Sequence, residues 1–220
     1  MVISSRSDDS ATRNPADGPC VDRLLEQARR GEGDALGQLL QLYRNYLSIL
    51  AAAQLDHRLR RRVNPSDLVQ ETMLAAHCDF VKFRGCSERE LLAWLRQILI
   101  HCLHHAIETH LRAKMRDIRR EISVEQLSRS LDRSVVTFDQ VFADRGPSPS
   151  APLYQRERAV ALADQLATLS PQYRDVIVLR NLQGLSFEEV ADRMGRKPGT
   201  VRMLWLRAIE KFKTVCEPIE

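Results

Sequence analysis

Four histidines, His101, His104, His105 and His110, crowd around Cys102. His101 and His105 stand four residues apart, so on a helix they share a face at the spacing of a metal-binding pair. No carboxylate or second cysteine falls beside them at a suitable spacing. Packing or hydrogen bonding on a half-buried helix face accounts for them better, and no metal is assigned. The sequence shows no convergent nucleophile and base, no G-x-x-x-x-G-K-[ST] phosphate loop and no dinucleotide glycine pattern. No catalytic residue, cofactor or enzymatic activity is therefore expected.

A second constellation suits nucleic acid. In Gly184 to Phe212, GLSFEEVADRMGRKPGTVRMLWLRAIEKF, Ser186 and Glu189 have the spacing of a capping box. Val190, Ala191 and Met194 form the apolar stripe of a helix that Gly195 ends, since glycine accepts the left-handed backbone angle of a helix terminus. Pro198 opens a second helix, on which Val201, Leu204, Trp205, Ala208 and Phe212 recur at helical spacing. Small Ala191 permits a close approach and Val201 plugs the gap. This is a helix-turn-helix pattern, whose second helix normally enters the DNA major groove. An ordinary helical hairpin is the plain alternative, but the cap, the small residue, the turn glycine and the basic Arg196, Lys197, Arg202 and Arg207 coincide here.

Two further stretches carry charge or aromatics without an obvious structural purpose. Asn64-Pro65-Ser66-Asp67 is a strong helix start, with Asn64 as cap, Pro65 in the first turn and Asp67 at the positive end of the dipole. In the helix that follows, Val69, Met73, Ala76 and Phe80 suit a core, whereas Asp67, Gln70, Glu71 and Leu74 form a mixed face that looks like a docking surface. The loop Phe80 to Ser87 holds two aromatics, a lysine and an arginine; it could stack on unpaired bases, or Phe80 and Phe83 could simply pack beneath the turn. Ser87 should start a long central helix reaching about Asp117. Its far end carries Arg112, Lys114, Arg116, Arg119 and Arg120, a positive tip suited to phosphates. Asp56 to Arg62, DHRLRRR, reads as a solvated helix end, with a phosphate-contacting patch as the alternative.

The elements that must position these residues are all helices. A chain of 220 residues can hold one large or two small cores. Leu24, Leu25 and Ala28 belong to a short helix; Leu36, Leu39, Leu40, Tyr43, Leu47 and Leu50 trace one face of a long one. Residues 1–19 read as a disordered tail, residues 20–120 as a helical domain, residues 121–154 as a flexible linker holding one short capped helix, and residues 155–216 as a second helical domain. In the latter, Ala159, Leu162, Ala163, Leu166 and Leu169 form one helix and Ser170-Pro171 caps the next. The expected class is all-α, two helical domains joined by a flexible linker, with the helix-turn-helix in the C-terminal one.

Net charge of +4 and a pI near 8.9 permit nucleic acid without requiring it. The five cysteines are odd in number, scattered and free of any C-x-x-C pair, which suits a reduced cytoplasmic setting. The N-terminus lacks the apolar core of a signal peptide, and the most apolar run, Leu91 to Leu103, is broken by Arg96, Gln97 and His101, so no membrane insertion is expected.

Taken together, the chain from about Val21 to Val215 resembles the extracytoplasmic-function (ECF) group of bacterial RNA polymerase sigma factors. Asp67-Leu68-Val69-Gln70-Glu71-Thr72 looks like the family's D-L-V-Q-E-T signature. Phe83-Arg84-Gly85 through Trp94-Leu95, and Leu169-Ser170-Pro171 through Arg207-Ala208, match it in the right order. The resemblance implies that the N-terminal domain is sigma region two, docking on core RNA polymerase through Asp67, Leu68, Gln70, Glu71 and Leu74. It implies that Phe83, Arg84, Arg112, Lys114, Arg116, Arg119 and Arg120 melt and hold the downstream promoter element. The C-terminal domain would be region four, gripping the upstream element of promoter DNA with Arg196, Lys197, Thr200, Arg202, Met203 and Arg207. Strand opening would draw its energy from binding, so no ATP site is needed. Family members are commonly held inactive by an anti-sigma factor, and the sequence identifies none for this chain.

The chain departs from the family where Lys-Ser-Arg-Leu-His-Arg is common in the recognition helix. Arg202-Met203-Leu204-Trp205-Leu206-Arg207 stands there, and polar base-readers are sparse. A helix-turn-helix regulator that never joins polymerase would explain Gly184 to Phe212 equally well, but would leave the Asp67 to Thr72 motif and the positive tip without a purpose.

Overall fold

The computed structural model describes residues 21–55, 57–60, 62–112, 124–142 and 152–216. The expected N-terminal tail lies outside them, as do Lys114, Arg116, Arg119 and Arg120; at Arg112 only the helical backbone is described. Among the described residues the protein is all-α. In chain order the helices are α1 (Val21–Arg29), α2 (Ala35–Leu42), α3 (Arg44–Gln54), α4 (His57–Arg60), α5 (Pro65–Asp79), α6 (Glu88–Arg112), α7 (Val124–Phe142), α8 (Pro152–Thr168), α9 (Pro171–Ile177), α10 (Phe187–Met194) and α11 (Pro198–Cys216). A 3₁₀ turn, Phe80–Lys82, follows α5, and α9 runs on into a π turn, Val178–Leu182.

The local signals act as their chemistry dictates. Asn64 accepts the Ser66 N–H at 3.0 Å, with Pro65 in the first turn of α5. At the start of α6 the Glu90 carboxylate accepts the backbone N–H groups of Cys86 and Ser87 at 2.7 and 3.1 Å, while the Glu90 N–H meets Ser87 Oγ at 3.4 Å. This is a second capping box, and it holds the Glu90 carboxyl below its ordinary range, chiefly through the Cys86 N–H. Ser170 precedes α9 with Pro171 in the first turn, but its side chain makes no capping bond.

Two expectations change. The single long helix through Leu36 and Leu50 is two, α2 and α3, broken at Tyr43. Tyr43 is buried and its hydroxyl donates to Glu88 at 2.9 Å, so the break points the ring at the start of α6. The stretch read as linker with one short helix contains α7, 19 residues long. Leu127, Leu131 and Ser134 fall on one face of α7 and are buried; the two leucines pack that helix on its neighbours α3 and α6, and Ser134 Oγ accepts from Gln54 at 3.0 Å.

Helix α3 lies at the centre. On one side it meets α5 and α6; on another it meets α7, α8 and the π turn. Leu47 and Ala51 of α3 and Leu91, Leu95, Leu99 and Leu103 of α6 are fully buried, and the core continues without a break from α1 to α11. The last carbonyls of any helix lack intrahelical donors. Those of α3 are met from outside: Gln183 Nε2 donates to the Ala52 and Leu55 carbonyls at 3.0 and 3.2 Å, and Arg60 Nη2 donates to Ala52 at 3.0 Å. Arg60 also pairs with Asp175 at 3.6 Å. That side chain, read in the sequence as part of a solvated end or a phosphate patch, instead joins α3 and α4 to α9.

Candidate nucleic-acid interface and docking face

The helix-turn-helix forms as its sequence requires. Ser186 Oγ accepts the Glu189 N–H at 3.2 Å, and the Glu189 carboxylate accepts the Ser186 N–H at 2.8 Å. These bonds, the Ser186 backbone N–H first, hold the Glu189 carboxyl below its ordinary range. Gly195 takes φ +62° and ends α10. The Arg196 N–H then reaches back to the Ala191 carbonyl at 3.0 Å, the closure expected of a left-handed helix cap. Val190, Ala191, Val201, Ala208 and Phe212 are buried, as their spacing predicts.

Helix α11 therefore has two unlike faces. Leu204 and Trp205 turn inward and pack against the core. Trp205 Nε1 donates to Asn181 at 2.9 Å, and its ring meets Phe187 edge-on at 5.7 Å. Facing out are Thr200, Arg202, Met203, Leu206 and Arg207, with Met203 51 % and Leu206 48 % exposed. Arg196 and Lys197 are exposed in the turn, and Arg196 donates to Gln172 at 2.9 Å. The Arg202 guanidinium lies 5.1 Å from the Phe187 ring centroid, and that of Arg180 lies 4.8 Å from it. The expected upstream residues thus share one surface. Sequence reasoning missed the aromatic support beneath it: Phe187 opens α10 and Asn181 sits in the π turn, and no local pattern marks either as a neighbour of α11.

In the N-terminal half the two faces of α5 separate cleanly. Val69, Ala76 and the following Phe80 are buried and Met73 is half-buried; Asp67, Gln70, Glu71 and Leu74 are exposed, Leu74 at 66 %. Leu68 departs from its expected place. It is only 1 % exposed, and its carbonyl accepts the buried Thr72 hydroxyl at 2.7 Å. One residue after Asp67 on a helix is about 100° round the axis, which here turns Leu68 into the core and away from any docking partner. Cys102, beside Thr72, is buried on α6, and burial raises its thiol pKa.

The loop after α5 is organised by packing. Phe83 lies 5.9 Å from Phe80 and 5.0 Å from Trp94, and Phe80 lies 6.2 Å from Trp94, between ring centroids. The Arg29 guanidinium sits 6.0 Å from the Phe83 centroid and donates to the Gly85 carbonyl. A Cβ on Gly85 would collide with the Phe83 ring and with Glu90, so glycine is needed for the ring to fold back. Phe83 is half-buried in this cluster, in keeping with the packing alternative, while Arg84 is exposed. Of the histidines, His101 and His105 are exposed, and His104 lies 3.9 Å from Glu108, so, contrary to expectation, a carboxylate does stand one helical turn from the cluster. Among the described residues no group of three or more His, Cys, Asp or Glu side chains could hold a metal, and no helix is long and apolar enough to cross a membrane.

Comparison with known proteins agrees with this geometry. Residues 159–212 match the family model described as Sigma-70, region 4, a span that runs from α8 through the helix-turn-helix. Over 202 residues the chain is 30% identical to the ECF RNA polymerase sigma factor BldN of Streptomyces coelicolor, covering 90% of this chain and 67% of BldN. It is 26% identical over 196 residues to the ECF RNA polymerase sigma-E factor of Haemophilus influenzae, covering 89% and 95% of the two chains. The ECF RNA polymerase sigma factor SigD of Mycobacterium tuberculosis is 27% identical over 196 residues, covering 89% of this chain and 84% of SigD. With the capped helix-turn-helix and its basic outer face in place, and with relatives matched across both halves, the chain belongs to the extracytoplasmic-function group of RNA polymerase sigma factors.

Proposed function

We propose that this sigma factor docks on core RNA polymerase through the exposed face of α5, with Asp67, Gln70, Glu71 and Leu74 in contact. In the same reading it holds the upstream promoter element through the outer face of α11 and the turn before it, with Arg196, Lys197, Thr200, Arg202, Met203 and Arg207. Arg84, Arg112 and the basic residues that follow it in the sequence, Lys114, Arg116, Arg119 and Arg120, would hold the melted downstream strand by backbone charge, while Phe83 supports the loop from beneath. The sequence supports 20–120 and 155–216 as the two functional units. A duplex needs a rigid helix to reach base edges, whereas a melted strand is held by charge and stacking; the two halves divide along that line.

One observation carries the docking proposal. Leu74, a large apolar side chain 66 % exposed, stands beside Gln70 and Glu71 on a helix whose other face is core. The test is association of the full chain with purified core polymerase, together with run-off transcription. Glu71→Ala and Leu74→Ala should weaken association about tenfold or more, within the range of interface anchors, and leave the helical circular dichroism unchanged. Leu68→Ala should instead lower thermal stability. Association unaffected by both Glu71→Ala and Leu74→Ala would overturn the assignment of this face.

A further inference from the structure

The outer face of α11 has an apolar centre. Met203 and Leu206 are about half exposed and three residues apart, and a helix rises about 1.5 Å per residue, so they are offset by about 4.5 Å along the axis. Positive charge flanks them: Arg196 and Lys197 are exposed in the preceding turn and Arg202 and Arg207 stand on either side, while the exposed Glu210, one turn past Leu206 on the same face, marks the C-terminal limit of the patch. A patch of two apolar side chains within a cationic field matches a polyanion that offers small apolar groups. Duplex DNA is such a surface, and the thymine C5-methyl is the apolar feature of its major groove. Side chains three residues apart on a helix stand about 5–6 Å apart, and base pairs stack about 3.4 Å apart, so the pair is within reach of adjoining base pairs.

We infer that Met203 and Leu206 read thymine methyl groups on neighbouring base pairs of the upstream promoter element. The inference rests on the reading of α11 as the promoter-recognition helix. It gives the two apolar residues the specificity that hydrogen-bonding side chains commonly supply, with Arg202 and Arg207 bracketing them. Arg202 is held against Phe187, so its guanidinium is fixed at the edge of the patch, and the centre is left to the side chains that can fill a methyl contact.

The test uses the full chain assembled with core RNA polymerase and a pool of randomised double-stranded promoter fragments. After selection, each thymine in the preferred upstream element is replaced singly by uracil, which deletes the methyl and keeps every hydrogen-bonding group. Uracil at one or two neighbouring base pairs should weaken binding about fourfold, the worth of one buried methyl group, and elsewhere should change nothing. In Met203→Ala and Leu206→Ala, whose helical signal should match the parent because both side chains are half exposed, the penalty at the corresponding base pair should vanish. Equal binding of thymine and uracil at every position overturns the inference while the promoter reading stands. So does a penalty that persists in both variants, which would assign the methyl contact to another residue. Failure to select any preferred duplex, although the polymerase complex forms, overturns the reading of α11 itself and the methyl contact with it.

Discussion

The Arg202 guanidinium lies 5.1 Å from the centroid of the Phe187 ring, so the first residue of one helix in the motif holds a charged side chain of the next. Stacking fixes a planar guanidinium that would otherwise sample many rotamers, and a pre-set side chain loses less entropy on binding. Phe187→Leu keeps the apolar bulk against Trp205 and removes the ring. It should weaken promoter-duplex binding about two- to fivefold, in line with a cation–π contact of about 0.5–1 kcal/mol. Fluorescence anisotropy with a labelled duplex would measure this. Arg202→Ala should then cost less in the Phe187→Leu background than in the parent; equal costs in both would show that the stack does not prepare Arg202 for DNA.

Gln183 holds the end of α3 from the other half of the chain. Its amide donates to the Ala52 and Leu55 carbonyls, and its own carbonyl accepts from Arg193. Gln183→Leu leaves those helix-terminal carbonyls with fewer donors, and a buried polar group without its partner costs about 1–3 kcal/mol. Urea unfolding should show a lower midpoint of that order. An unchanged midpoint would mean that water replaces the amide at no cost.

What was legible in the sequence follows a physical rule. Features fixed by neighbours within one turn of helix were readable: the Ser186 and Glu189 box, the Asn64-Pro65 start and the inward Val201, Ala208 and Phe212 all stand where spacing puts them. The mixed face of α5, Asp67, Gln70, Glu71 and Leu74, is readable as well; Leu68, a docking contact only by its place in the motif, is turned into the core by helix rotation. Long-range pairings left no local trace. Neither Arg60 meeting Asp175 nor Phe187 lying under Arg202 has a sequence period. Helix α7 was underestimated because RGPSPSAP dominates its neighbourhood, although Leu127, Leu131 and Ser134 already mark a buried stripe.

The turn itself can be tested at Gly195. Its φ of +62° lies in the left-handed region, where a Cβ costs about 1–2 kcal/mol, and no neighbouring atom would obstruct that Cβ. Gly195→Ala should therefore lower stability by about that amount through backbone strain alone, as measured by thermal unfolding. Gly195→Asn should lower it less, because asparagine tolerates this conformation. Similar losses for the two would point to something other than backbone angle.

The capping carboxylate gives the fold a defined pH response. Glu189 accepts the Ser186 N–H at 2.8 Å, and its pKa lies below the ordinary glutamate value in the folded protein. The unfolded chain binds that proton at a higher pH, about 4.3, so the folded state is favoured while the group is ionised in both states. Its stabilising contribution is fully present above the unfolded pKa and is lost as pH falls through the lowered folded one. Glu189→Gln keeps an acceptor at this position and removes the charge. The difference in melting temperature between parent and variant should hold steady above about pH 6, then shrink as the pH falls below the ordinary glutamate range. Glu90, held low by the Cys86 and Ser87 N–H groups at the start of α6, should give the same direction in Glu90→Gln. A difference that stays constant down to about pH 3, well below the ordinary value, would mean that the cap works by hydrogen bonding alone and that ionisation of the carboxylate adds nothing to it.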